Sequence, residues 1–404
     1  MKIYFLISYN KMLRNIFCML LALIIFAVPN VSQAENRASV MEDILKTQLE
    51  SSEIRSLQKN LEKSMSDEAK ELFPYYSTRQ LMQELVSGNI QGSVETLPQK
   101  ILNIFFAEVR SNFSLIIKLI LIVFLSAFIK NLQGSFKESA VGELAYFACY
   151  TAVVTMLALG FHSVLGYAGE VLDTIDSITG FAIPSLLALL ISSGNIVSGS
   201  TLQPLLLFAI QATVKVFRNV FLPLCLMSGI LYIVSGLSEK IKISGMASLL
   251  RQIVTWGLGG ILALFGSLIA IQGVTGAIID GATVKTAKTA INTFIPVAGK
   301  YMADAADTII NCALVIKNTA GVVTMIVTLI TCCIPIVKMF VIVLMYRFTA
   351  ALVEPFAEER FFDCITDVSD CMKVVLGIVG ASVFMFLLSI GALLGAGGIS
   401  GMMQ

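Results

Sequence analysis

Ala320-Gly-Val-Val-Thr-Met-Ile-Val-Thr-Leu-Ile-Thr-Cys-Cys-Ile-Pro-Ile-Val-Lys338-Met-Phe-Val-Ile-Val-Leu-Met-Tyr346 reads as membrane from end to end. These 27 residues hold one charge, Lys338, and a helix needs only about 20 apolar residues to cross a hydrocarbon core. Five further runs of the same kind lie at about 113–129, 144–168, 219–237, 253–279 and 374–397. A helix satisfies its backbone without water, so the expected fold is an all-α polytopic membrane protein. Two shorter apolar pieces, 178–191 and 202–214, are divided by Ser192-Ser193-Gly194-Asn195 and carry Pro184 and Pro204. They make two tilted spans or one re-entrant hairpin, for a total of about six to eight transmembrane helices.

Composition agrees. Of 404 residues 56% are hydrophobic, 14% are charged, and the mean hydropathy is +0.85; about 25% charged is usual for a soluble domain. Membrane lipid is therefore the main partner of the surface. A net charge of +1 with no basic, aromatic-interleaved tract excludes nucleic acid as a partner. One histidine in the chain excludes a His-based metal centre.

The N-terminus has the parts of a secretory signal. Lys2, Lys11 and Arg14 precede the apolar run Ile16–Val28, and Pro29 leads to Ser32-Gln33-Ala34, a small-residue cleavage site. Residues 1–34 are read as a signal peptide cleaved after Ala34; the alternative is an uncleaved anchor helix. The mature chain then starts outside the cytoplasm.

Residues 35–110 form a short helical extracytoplasmic arm. Ile54, Leu57, Leu61, Met65, Ala69 and Leu72 recur at helical spacing between polar residues and define one apolar face. Pro74 ends it, Leu81, Met82, Leu85 and Val86 make a second face, and a third begins after Pro98. The arm is either a cap folded on itself or a docking surface for another protein.

Residues 111–404 form the transmembrane domain. With the start outside, the cytoplasmic loops are those around 130–142, 238–252 and 347–373, with Lys130, Lys137, Lys240, Lys242, Arg251, Arg347, Arg360 and Lys373. The first external loop carries Glu170, Asp173 and Asp176, whereas the external loop at 280–319 goes against the rule with Lys285, Lys288, Lys300 and Lys317. Proline spacing suggests a parallel internal repeat, 178–279 and 292–397. Pro184 precedes Pro223 by the same interval as Pro296 precedes Pro335, and all four are candidate helix breaks.

Lys118, Lys215, Arg218 and Lys338 lie in or beside apolar runs, where a charge either snorkels to an interface or marks a polar path. His162 is read as structural or interfacial; a proton relay would need an acidic partner. The eight cysteines include no CxxC pair, and Cys364 and Cys371 share a helical face without further metal ligands nearby. The chain has no P-loop, GxSxG or HExxH, so no catalytic, cofactor-binding or metal residues are assigned and no enzymatic activity is expected. Glycine-rich stretches such as Trp256-Gly-Leu-Gly-Gly260 serve close helix packing within the chain or the seam of a homo-oligomer.

The stretch Val353-Glu-Pro-Phe-Ala-Glu-Glu-Arg-Phe-Phe-Asp-Cys364, the last apolar span and the ending Gly397-Gly-Ile-Ser-Gly-Met-Met403 carry a resemblance. Together with the order of signal, helical arm and polytopic body, they resemble the stage III sporulation protein AE family of endospore-forming bacteria. The resemblance implies a place in the mother-cell membrane around the forespore, as a component of the secretion-like channel apparatus joining the two cells. It implies as partners the other stage III sporulation proteins, including an ATPase and ring-forming proteins, and a forespore-side stage II protein. Two functions of different class follow: a membrane platform or pore-forming subunit, and, from the proline-broken spans, a secondary transporter or permease for a small solute.

Overall fold

The computed structural model describes residues 51–72, 78–87, 97–133, 139–193, 203–237, 243–294 and 299–395, with the helical parts of 273–309 described by their backbone only. The signal segment, its cleavage site at Ala34, Pro296, and Lys137, Lys240 and Lys242 lie outside the described residues. All regular structure among the described residues is helical.

Among the described residues of the arm are three short helices: α1 (Ser52–Ser64), α2 (Asp67–Leu72) and α3 (Thr78–Ser87). Ser51 starts α1 as an N-cap, its hydroxyl accepting from the Ile54 amide at 3.5 Å. Six long rods follow. They are α4 (Leu97–Gln133), α5 (Ser139–Ser192), α6 (Gln203–Val216) continued through a π-helical turn (Phe217–Phe221) into α7 (Leu222–Leu237), α8 (Ser244–Phe294), α9 (Gly299–Val353) and α10 (Glu359–Gly395). Each contains a stretch long and apolar enough to cross a membrane, giving six candidate spans.

The arm does not fold on itself alone. Ile54, Leu57, Leu61 and Met82 are buried in the same apolar core as the long rods, and Ala69 packs against Ile334 of α9. The apolar face read from the sequence is the one used, but it is pressed onto α5 and α9.

The short apolar pieces are not separate spans. Residues 178–191 belong to the end of α5, and 203–214 lie in α6, which leads into α7. Glu170, Asp173 and Asp176, read as an external loop, stand within α5. Acidic side chains lower the local hydropathy without breaking a helix, so the helix continues where the apolar run stops. For the same reason Arg251, Arg347, Arg360 and Lys373 lie on helices rather than loops, and the turn between α9 and α10 shrinks to 354–358. Lys317, read as a loop base, is inside α9. Pro184 and Pro335 also sit inside continuous helices, and Pro223 is the second residue of α7, two past the π-helical turn. An interior proline forgoes one backbone bond; Pro184 stands exposed and Pro335 buried, and the helix continues through both.

At the centre lie α9 and α10. Over half (56%) of the apolar window of each is buried, against 11% for α8, so α8 is peripheral. Apolar burial drives little association in lipid, and close approach does more. Gly160 of α5 provides such an approach: the Tyr346 ring occupies the space its side chain would need, and the Tyr346 hydroxyl donates to the Met156 carbonyl at 2.9 Å.

Candidate functional site: two charged layers and a buried lysine

Every basic loop assigned to the cytoplasm contributes to one end of the bundle. There Lys130 of α4 pairs with Glu358 in the α9–α10 turn. Asp370 of α10 receives Lys373 at 2.6 Å, Arg347 of α9 at 3.3 Å and Arg251 of α8 at 3.6 Å, and Arg251 also lies 3.9 Å from Asp367. Arg251 covers the Tyr232 ring at 5.3 Å, and Arg360 the Tyr146 ring at 5.7 Å. Three cations on two carboxylates tie α8, α9 and α10 together, and these half-buried charges neutralise one another where an isolated one would be costly.

A second charged layer lies further along the rods. On α9 it stands nine residues from the Asp370 cluster, Lys338 to Arg347, about 14 Å at the helical rise, and on α5 it stands 21 residues from Tyr146, the ring under Arg360. At that level Lys338 Nζ contacts both oxygens of Glu68 at 2.8 and 2.7 Å and lies 5.7 Å from the Tyr167 ring centroid. The intramembrane candidate Lys338 is thus held by the arm. Nearby, Arg218 makes two contacts of 3.1 Å to the Asp173 carboxylate, with its guanidinium lying where a side chain on Gly169 would be. Arg218 sits on the π-helical turn, Phe217–Phe221, which redirects it from the regular α path. Of the other sequence candidates, Lys215 and Lys118 are exposed, as is His162. The sites of Lys338 and Arg218 each bring together two elements; Lys118 and Lys215 show the exposure of snorkelling side chains.

Sequence reasoning assigned no role to Lys317. It is fully buried, and its Nζ donates to the carbonyls of Leu393 and Leu394 at 3.2 and 3.3 Å. Those carbonyls belong to the last described turn of α10, and an ammonium beside carbonyls near the C-terminal part of a helix complements its dipole. The signal was available as spacing: Lys317, Thr324, Thr331 and Lys338 follow one another at intervals of seven residues along one face of α9. Among the described residues no group of His, Cys, Asp and Glu is arranged to hold a metal ion.

A family model described as Stage III sporulation protein AE matches residues 76–397. The Stage III sporulation protein AE of Bacillus subtilis (strain 168) is 30% identical over 381 residues, covering 94% of this chain and 95% of that one. No solved structure matches.

Proposed function

The chain belongs to the stage III sporulation protein AE family, and from that premise we propose that it is the membrane platform, or a pore-forming subunit, of the apparatus joining mother cell and forespore. In this reading it resides in the mother-cell membrane around the forespore, with the 35–110 arm outside the cytoplasm. It acts by holding partners rather than by covalent chemistry. The partners are the other stage III sporulation proteins, an ATPase and ring-forming proteins among them, and a stage II protein from the forespore side.

One observation carries the reading: the rods are much longer than a bilayer and are tied together at two levels. Helices α5 and α9 have 54 and 55 residues, about 80 Å each. Ion pairs through Asp370 tie α9, at Arg347, to α8 and α10, and Glu68 with Lys338 ties the arm to α9 nine residues away, about 14 Å along the same helix. Such a body presents rigid surfaces on both sides of a membrane. A second reading, a secondary transporter for a small solute, draws on Lys317, because an ionisable group buried in a span is a functional candidate by default.

A clean deletion separates them. The platform reading expects normal vegetative growth, arrest of spore development after engulfment, and loss of co-purifying partners when residues 35–110 are removed from a chain that still inserts. Normal sporulation in the deletion strain would refute it and favour the transporter.

A further inference from the structure

Beyond Leu159, helix α5 turns a polar face outward. His162, Gly166, Glu170, Asp173, Ser177 and Gly180 follow one another at steps of three and four residues, the spacing of one helical face, and all six are exposed. Between Leu159 and Ile191, where every residue is described, no large apolar side chain of α5 is exposed. That interval is 32 residues, about 48 Å at the helical rise, whereas a hydrocarbon core is ~30 Å thick. A face of this composition and length is not one that lipid tails would cover.

Contacts fix the depth of this face. Arg218 holds Asp173 at 3.1 Å, and three residues further on the Phe221 ring fills the space beside Gly257 of α8. Helix α7 runs antiparallel to α8, since Tyr232 lies under Arg251 at 5.3 Å. Asp173 therefore comes level with the stretch of α8 from Trp256 to Leu264. Those two side chains are 74% and 70% exposed, on a helix that packs against α7, α9 and α10. At one depth, then, α8 shows an indole and an isobutyl group to its surroundings, as a lipid-facing helix does, and α5 shows carboxylates. Asp173 keeps 62% of its side chain exposed even inside its pair with Arg218. A charge at hydrocarbon depth faces protein or water rather than lipid.

We propose that copies of this chain assemble with these α5 faces turned toward one shared water-filled path and with α8 toward lipid. A polar surface one helix wide encloses nothing alone, and cyclic symmetry brings identical faces to one axis at one depth. Gly166 and Gly180 have nothing within 4 Å of where a Cβ would stand, so the wall is open along its length. The wetness of the face follows from its own side chains; the use of the path for transport rests on the pore-subunit reading.

The test uses the full chain in open membrane fragments from sporulating cells, with single substitutions Gly166→Cys, Ser177→Cys and Gly180→Cys on α5. Ala263→Cys and Leu264→Cys, exposed positions of α8, are the controls. A methanethiosulfonate ammonium reagent is applied, and adducts are assigned by peptide mass so that native cysteines do not interfere. Such reagents need a thiolate, which hydrocarbon suppresses. The expected result is reaction on α5 at least tenfold faster than on α8, and, with a bifunctional methanethiosulfonate, a peptide containing residue 166 linked to the same peptide of a second copy. Equal rates on the two helices, whether fast or slow, overturn the proposal. Slow rates on α5 that become fast once the chain is purified into nanodiscs overturn it too, because a partner protein then covers the face. Fast rates without any self-linked peptide refute the shared path. The three α5 positions are open or nearly isosteric, so a variant that misfolds leaves two others to decide. Labelling is read in membranes and the deletion phenotype in cells, so failure of the path and failure of the pore reading are separate outcomes.

Discussion

Replacing Glu68 with glutamine should loosen the arm by an amount that the geometry bounds. Lys338 is 2.7–2.8 Å from both carboxylate oxygens, and the side-chain exposures are 19% for Lys338 and 58% for Glu68. Exposed pairs contribute ~0.2–1 kcal/mol, and breaking a buried pair costs ~3–5 kcal/mol. A pair with one sheltered and one wet partner belongs between them, at about 1–2 kcal/mol. The undocked fraction of the arm should then rise by a factor of about 5–30. Docking is measurable by limited trypsin digestion, because Arg55, Lys59 and Lys63 stand exposed on α1 and cutting requires that helix to open. Glu68→Gln should raise the initial cutting rate at these sites by that factor. Glu62→Gln, an exposed acid on the same helix, should leave it within twofold. The double exchange Glu68→Lys with Lys338→Glu should restore most of the protection. Equal rates for Glu68→Gln and Glu62→Gln would mean that the apolar face alone holds the arm, and the reasoning would fail.

Other predictions concern single residues. Lys317→Met keeps most of the volume and removes a buried charge, so thermal melting in detergent should shift by no more than about 1 kcal/mol equivalent, while Lys317→Glu should give little folded protein; equal losses would contradict its role as a donor to the Leu393 and Leu394 carbonyls. Gly160→Ile forces a side chain into the Tyr346 ring and should cost about 1–3 kcal/mol. Gly166→Ala, with nothing within 4 Å, should be silent in the same melt. Mass spectrometry of the membrane form should find Glu35 as the first residue, and an intact Met1 would dismiss cleavage after Ala34.

Much of the architecture was legible because apolar runs and helical spacing are local signals. The six candidate spans coincide with the six runs, and the face Ile54, Leu57, Leu61 was visible as periodicity. Helix ends were less visible. Hydropathy falls at Glu170, Asp173 and Asp176 although α5 continues, since leaving an apolar stretch and leaving a helix are different physical events. Lys338 could be flagged as an intramembrane charge, but its partner Glu68 lies 270 residues away in the chain, and no local pattern names it. Lys317 was signalled only by its seven-residue spacing with Thr324, Thr331 and Lys338; beside an apolar run a base reads as a boundary, and its acceptors are backbone carbonyls that carry no sequence signature.

The uninterrupted rods also have a mechanical consequence. A continuous helix turns as a stiff lever, so a tilt of about 5° over ~80 Å displaces its far end by roughly 7 Å. Helices α5 and α9 therefore report at one end any torque applied at the other. The rod built from α6 and α7 has a π-helical joint at Phe217–Phe221, which lets it bend where its neighbours must swing. A push on the basic end is then converted into relative sliding of stiff and jointed members, with Arg218 and Asp173 at the point where they are pinned.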